Sequence, residues 1–217
     1  MSDGLLDNLT QDLKPVKPLN AKPLWLGAGV AVGLAAAYVW FIFGPRPELS
    51  ALTYGNWSGN NMAFGKPLMF LIIGGSALWA VSDLARPEGR FRMRTWLPML
   101  AIFAGVIGVL MSYISQLGME KALAPMHGPA RLCYITIICG GVAGLLILWR
   151  LWLRRSATSH PALLGAMSGL AASSLMAGAY ALHCNQDEPA YLLAVYGVSL
   201  IIVTAAAALA GAKLLRW

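Results

Sequence analysis

The sequence predicts an all-α integral membrane bundle of six transmembrane helices, preceded by a short cytoplasmic amphipathic helix. Of the 217 residues, 58% are hydrophobic and only 12% are charged, whereas soluble domains carry roughly 25% charged residues. Six long apolar stretches lie at 24–43, 67–84, 96–115, 132–153, 162–182 and 190–212. Each approaches the ~20 helical residues that cross a ~30 Å hydrocarbon core. Uninterrupted apolar stretches indicate helices, because lipid offers no partner to unpaired backbone groups.

The first predicted domain is the segment 1–23, which precedes the transmembrane domain at 24–217. Four leucines of this segment fall on one face of a helix, namely Leu5, Leu6, Leu9 and Leu13. Polar side chains take the other face, namely Asp7, Asn8, Gln11 and Asp12. Pro15 and Pro18 end this helix after about three turns, which is too short for stability in water alone. It is predicted to bind a partner protein's groove, to lie on the membrane, or to stay disordered.

Lysines and arginines divide unequally between the two sets of loops. The set that includes both termini carries 12 and the other set carries 4, which together make the 16 of the chain. Cytoplasmic loops are enriched in Lys and Arg, so both termini are predicted to lie in the cytoplasm. The net charge of +7 follows from these loops. Since no basic run alternates with aromatic residues, no direct contact with nucleic acid is predicted.

Small and charged residues of the spans give a second set of expectations. Three glycine pairs have the spacing that lets membrane helices approach closely, namely Gly29/Gly33, Gly140/Gly144 and Gly165/Gly169. Packing within the chain is the favoured interpretation of all three, with a homo-oligomer as the alternative. Lys66 and Asp83 lie near span ends, where their charges can snorkel to the interface. No catalytic constellation is present in the sequence, so neither an enzyme nor an obligatory cofactor is predicted.

Two of the three cysteines lie at the outer ends of consecutive predicted helices. Because a short cytoplasmic loop joins these helices, the outer ends that carry Cys133 and Cys184 are predicted to be neighbours. The two thiols could form a disulfide in an oxidising compartment. They could instead bind a soft metal ion together with His183, or they could be ordinary interfacial residues. Cys139 is predicted to be a small buried packing residue.

Five stretches of the chain are distinctive enough to compare with a known family. They read LLDNLTQDLKPVKPL, FGPRPELSAL, DLARPEGR, GAYALHCNQDEPAYLLAVYG and KLLRW. Over essentially its whole length the chain resembles the NrsF family of six-span negative regulators of extracytoplasmic-function sigma factors. The YALHC segment with the following D-x-P is the most specific piece. The sequence departs from the family pattern at Asn185 and Gln186, where a proline and an acid are expected.

The resemblance implies an anti-sigma factor in a bacterial inner membrane. Its N-terminus would hold the sigma factor through Leu5, Leu6, Leu9, Asp12, Leu13, Pro15 and Val16. The resemblance also implies that Cys133 and Cys184 respond to oxidants or to heavy metals such as chromate and cadmium, and so release the sigma factor. Transient binding of a thiophilic metal ion by these two cysteines and His183 stays open. The alternative functions are a small transporter or channel subunit and a membrane thiol oxidoreductase.

Overall fold

The computed structural model describes residues 20–56, 59–89, 92–127 and 130–215. Within these ranges, six helices are long and apolar enough to cross a membrane. They are α1 (Lys22–Ile42), α2 (Met62–Leu84), α3 (Met93–Leu117), α4 (Arg131–Leu151), α5 (Pro161–Tyr180) and α6 (Pro189–Leu214). The predicted all-α, six-span fold is confirmed. The predicted sigma-factor contacts between Leu5 and Val16 lie outside the described residues.

In the part of the connections that the structure describes, the chain forms short helical pieces. Two are α-helical, at Pro47–Thr53 after α1 and Met119–Leu123 after α3. Two are 3₁₀ turns, at Ala124–His127 before α4 and Leu153–Arg155 after it. These pieces pair backbone groups locally where the chain leaves the bundle.

Helix α5 forms the centre of the bundle. It packs against α6, α2, α4 and α1, and it is the most buried of the six spans. The side chains on its buried positions are mostly small, and they include Gly165, Ser168, Gly169, Ala171, Ser173, Ser174, Ala177 and Gly178. Small side chains let several neighbouring helices approach one backbone closely, and such close packing is one of the forces that associate helices in lipid.

The glycine pair Gly165/Gly169 packs α5 directly on α6. A Cβ atom at Gly165 would overlap the carbonyl oxygen of Ala207 and would lie 3.0 Å from the Cα atom of Gly211. A Cβ atom at Gly169 would lie 2.9 Å from the carbonyl oxygen of Val203. No side chain fits between these backbones, so the predicted packing of this pair within the chain is confirmed.

The other two glycine pairs behave differently from each other. A Cβ atom at Gly140 would lie 2.6 Å from the Met176 side chain of α5, so this part of α4 also packs within the chain. At Gly29 and Gly33 an added Cβ atom would meet no atom within 4 Å. The predicted packing within the chain is therefore wrong for the pair on α1, because α1 touches the bundle mainly near its two ends.

Helices α1 and α3 are the peripheral spans, and little of either is buried. On α1 only Leu24 and Val39, one near each end, are fully buried. Between α1 and the pair α4 and α5 lies an apolar groove that encloses a cavity of about 130 Å³. Outward-facing apolar side chains on such helices are suited to contact with lipid.

The two ends of the bundle differ in chemistry. We call the end that carries Cys133 and Cys184 the cysteine end, and the end that carries the exposed Arg154 and Arg155 the arginine end.

Cys139 lies six residues along α4 from Cys133, which turns its side chain onto another face of the helix. Its side chain is exposed, so its predicted burial is wrong. The face that α4 turns outward is as apolar as the face it packs, so sequence pattern does not tell them apart.

Candidate functional site

A pair of thiols lies at the cysteine end of the bundle. Cys133 sits in the first turn of α4, and Cys184 lies four residues beyond the end of α5. Both are buried free thiols, and a hydrogen bond runs from the thiol of Cys133 to the sulfur of Cys184. Two sulfurs in hydrogen-bond contact are close enough in space to be candidates for a disulfide or for a shared metal ion.

Three buried tyrosines enclose this thiol pair. The hydroxyl oxygen of Tyr191 lies 3.1 Å from the sulfur of Cys133, and that sulfur lies 3.6 Å from the hydroxyl oxygen of Tyr180. The ring of Tyr196 stacks on Phe70, with 5.0 Å between the ring centroids. The phenol groups offer polar partners to the sulfurs, while the rings exclude bulk water.

A π-helical segment of α6 helps to aim two of these tyrosines. Tyr191 and Tyr196 are five residues apart, and both pack in the cluster around the two cysteines. In a regular α-helix, side chains five residues apart point about 140° away from each other. The segment Leu192–Gly197 is instead π-helical, and its wider turn reduces that angle. Such bulges are frequent at functional sites.

Lys66, in the second turn of α2, supplies a buried positive charge beside Cys184. Its Nζ atom donates to the carbonyl oxygens of Cys184 at 3.2 Å and Gln186 at 2.7 Å. It also lies 3.6 Å from the carboxylate of Asp187 and 4.6 Å from the ring centroid of Tyr196. The expectation that Lys66 snorkels to the interface is wrong, because these partners inside the protein satisfy its ammonium group.

These surroundings make the two thiols chemically unequal. The hydrogen bond from Cys133 holds the pKa of the Cys184 thiol well below its usual range, and the charge of Lys66 lowers that pKa further. Burial acts in the opposite direction and is outweighed. Because the thiolate is the nucleophilic and metal-binding form of cysteine, this arrangement favours Cys184 over Cys133 as the member of the pair that reacts.

Arg46 connects the segment after α1 to the loop between α5 and α6. Its guanidinium group donates to both carboxylate oxygens of Asp187, at 2.6 and 3.2 Å, and to both of Glu48, at 3.0 and 3.1 Å. Burial alone would lower the pKa of Arg46, but the two carboxylates outweigh it and raise that pKa. The hydrogen bond from Arg46 lowers the pKa of Glu48 to about 2. The amide of Asn60 donates to both carboxylates as well.

Sequence reasoning missed this ion-pair network. From the sequence, Arg46 counts only as one of the charges of the outer loops, Lys66 is expected to snorkel, and Glu48 has no role. One signal was present, because Arg46, Glu48, Lys66 and Asp187 are a large share of the charges in loops on that side of so apolar a chain. Charges that stay at one end of a membrane bundle tend to pair with each other.

The structure gives His183 a partner within the chain. Its Nδ1 atom donates to the carbonyl oxygen of Gly44 at 2.9 Å, and its ring packs against Phe43 and Tyr180. Across the described ranges, no three or more His, Cys, Asp or Glu side chains gather as a group that could hold a metal ion. A thiophilic ion at this site would therefore depend mainly on the two sulfurs.

These features define a class of protein, a multi-pass helical membrane protein with a buried pair of free thiols and an ion-pair network at one end. The chain belongs to the NrsF family, described as negative regulator of sigma F, whose family model matches residues 9–217. Comparison with curated proteins and with solved structures found no match. Membership implies a negative regulator of a sigma factor, with a sigma factor as its partner. A family of regulators of this kind is not typically enzymatic.

Proposed function

We propose that this chain is a redox- or metal-responsive anti-sigma factor of the bacterial inner membrane. Residues 1–23 hold an extracytoplasmic-function sigma factor at the cytoplasmic face. Cys133 and Cys184 respond on the opposite face to an oxidant or to a heavy-metal ion, and the sigma factor is then released. The observation that carries this proposal is the contact between the two buried sulfurs beside the positive charge of Lys66.

The separation of the two ends supports this division of labour. Helix α1 has 21 residues, so it spans about 31 Å at ~1.5 Å per residue. Its first residues lie at the arginine end, where the chain continues into the segment 1–19, and its last residues lie at the cysteine end. The excess of Lys and Arg on the loops of the arginine end supports a cytoplasmic location for that end.

A hydroperoxide is the oxidant class that the unequal thiols are suited to detect. The Cys184 thiolate attacks one peroxide oxygen, the O–O bond breaks, and hydroxide or alkoxide leaves, which yields a sulfenic acid. Cys133 then attacks the sulfenic sulfur, its proton leaves with the departing oxygen as water, and a disulfide forms. The two thiols together supply the two electrons that reduce the peroxide. The hydrogen bond between the sulfurs keeps the second thiol within reach of the first.

A thiophilic metal ion can occupy the same two sulfurs without any change in oxidation state. Soft ions such as Cd²⁺ prefer thiolate ligands, and their binding releases the thiol protons. The hydrogen bond from Cys133 to Cys184 would be lost in either case. A disulfide and a bridging ion therefore disturb the same pair of residues, which supports a common response to both signals.

The docking half of the proposal is tested by capture of the sigma factor on the detergent-solubilised full-length chain. Leu9→Asp and Leu13→Asp place a charge on the leucine face, so each is expected to weaken capture at least tenfold. Gln11→Asp adds the same charge to the polar face of the same predicted helix, and it is expected to capture the sigma factor like the natural chain. Equal capture by all four proteins would refute docking through the leucine face.

The sensing half is tested in cells with a reporter that depends on the sigma factor. The double variant Cys133→Ser/Cys184→Ser is expected to lose induction by hydrogen peroxide and by cadmium. The matched control is Cys139→Ser, which removes the exposed third thiol and is expected to respond like the natural chain. Full induction of the double variant by both agents would refute the thiol pair as the sensor.

A further inference from the structure

We infer that helix α1 transmits the state of the thiol pair across the membrane, and that the ion pair between Arg46 and Asp187 is the point where α1 is coupled to it. The trigger in this inference rests on the proposed function. The coupling itself rests on contacts that the structure shows whether or not the thiols are sensors. It assigns a role to Arg46, to Asp187 and to the weakly packed first span.

At the cysteine end, the segment that follows α1 is bound to the loop that contains Cys184. The backbone N–H of Arg46 donates to the carbonyl oxygen of Leu182 at 2.9 Å. The side chain of Arg46 holds the Asp187 carboxylate, and His183 holds the carbonyl of Gly44. These contacts lie on both sides of Cys184 in sequence, so the segment after α1 is attached to the loop before and after the reactive thiol.

Lys66 ties the same loop to the thiol chemistry. It donates to the backbone carbonyl of Cys184 itself and to that of Gln186, and it lies 3.6 Å from Asp187. One buried ammonium group therefore contacts both the residue that reacts and the residue that holds Arg46. A new bond at the sulfur of Cys184 that shifts its backbone must change this set of contacts.

At the arginine end, α1 is held to the bundle by a few contacts next to the N-terminal segment. The indole Nε1 atom of Trp152 donates to the carbonyl oxygen of Asn20 at 3.0 Å. Leu24, in the first turn of α1, is buried in the cluster around Trp152. Asn20 is the first described residue, and residues 1–19 join it directly. A movement of α1 therefore displaces the point from which the proposed sigma-factor segment extends.

Between its two attachments, α1 is free to change position at low cost. Only two of its residues are fully buried, and the groove beneath it is lined by small side chains on α1, such as Gly27, Ala28 and Ala31. Few side chains of α1 interlock with α4 and α5, so a tilt does not require the core to be repacked. Helix shifts of this kind are an established means of carrying a signal through a packed bundle.

The test compares two substitutions to glutamine in the same network. Arg46→Gln removes the ion pair that joins the segment after α1 to Asp187. Glu48→Gln removes a carboxylate that also binds Arg46, but Glu48 belongs to the same segment as Arg46, so the link to the loop survives. If the Arg46 variant fails to fold, Asp187→Asn removes the same link from the other side and carries the same expectation.

The position of α1 is measured by double electron–electron resonance on the full-length chain in lipid nanodiscs. Spin labels are attached through p-acetylphenylalanine at Leu26 on α1 and at Ala162 on α5, so the native cysteines stay unlabelled. Both positions are exposed. Arg46→Gln is expected to shift the distance between the labels by about 2–5 Å, or to add a second distance population. It is also expected to raise the sigma-dependent reporter in unstressed cells, whereas Glu48→Gln changes neither.

The outcomes separate the coupling from the trigger. A distance that stays at the natural value in both Arg46→Gln and Asp187→Asn overturns the coupling, even if hydrogen peroxide or cadmium still induces the reporter. A distance that shifts in these variants, while neither agent moves α1 or induces the reporter in the natural chain, supports the coupling and refutes the thiol trigger. A shift of equal size in Glu48→Gln also overturns the role of the Arg46–Asp187 pair, because that variant keeps the pair intact.

Discussion

Replacing Lys66 with methionine is the most direct chemical test of the site. Methionine keeps the length of the side chain but removes the ammonium group that lies 3.2 Å from the carbonyl oxygen of Cys184. An opposite charge within ~4–6 Å lowers the pKa of an acid by about 1–3 units. Loss of Lys66 is therefore expected to raise the pKa of the Cys184 thiol, since the charge of Lys66 lowers that pKa in the natural chain. At a pH below both values, the thiolate fraction then falls about tenfold for each unit of that rise.

The assay is alkylation by iodoacetamide across a range of pH, with each cysteine followed by peptide mass spectrometry. The exposed Cys139 serves as an internal reference, because its labelling should not change. Lys121→Met is the matched control, since Lys121 is an exposed lysine in the connection between α3 and α4. A pH midpoint for Cys184 that is the same in the Lys66 and Lys121 variants would show that the buried ammonium group does not activate the thiol.

Three further predictions follow from the packing and the charges. Gly165→Leu inserts a side chain between α5 and α6 and should lower the free energy of unfolding by about 1–3 kcal/mol or more. Gly105→Leu is the control, because an added Cβ atom there meets no atom within 4 Å, and it should leave the free energy of unfolding unchanged. Equal melting temperatures of the two variants in detergent would refute the packing of α5 on α6. Because Arg46 lowers the pKa of Glu48 from 4.5 to about 2, their ion pair stabilises the fold above about pH 4.5, and this stabilisation is lost as the pH falls toward 2. The natural chain should therefore lose more melting temperature over that window than Glu48→Gln, and parallel losses would argue against the shift. Cys133→Ala should slow alkylation of Cys184, and Cys133→Ser, which keeps a hydrogen-bond donor, should slow it less. The reverse order would show that the hydrogen bond from Cys133 does not lower the pKa of the Cys184 thiol.

The six spans could be predicted from the sequence because a long apolar stretch in lipid has one favourable state. The start of α2 could not be predicted, because the apolar stretch ends at the charge of Lys66, whereas the helix begins at Met62 and includes Lys66. Its ammonium group is neutralised by the loop around Cys184, which is distant in sequence. The sequence also does not show which face of a span packs inside the bundle, as Cys139 illustrates. Lipid and the bundle interior are both apolar, so neither leaves a polar stripe on the helix.

The candidate site could be predicted only in part, for a related reason. Consecutive antiparallel helices gave a physical ground to place Cys133 and Cys184 at one end. The bonds between Arg46 and Asp187 join residues 141 positions apart, and no local pattern encodes such a contact. It depends on how the segment after α1 lies against the loop after α5, which is decided by packing in three dimensions.

The π-helical segment of α6 sets the rotation of one part of a membrane helix independently of the rest. Deleting a single residue from Leu192–Gly197 would let the wide turn relax to a regular one, and each residue of an α-helix accounts for a rotation of about 100°. The part that carries Tyr191 would then turn away from Cys133, while the part that packs through Gly211 against α5 would keep its contacts. The number of residues in this one turn therefore determines which side chains cover the sulfurs, while the rest of the helix crosses the membrane in the same way.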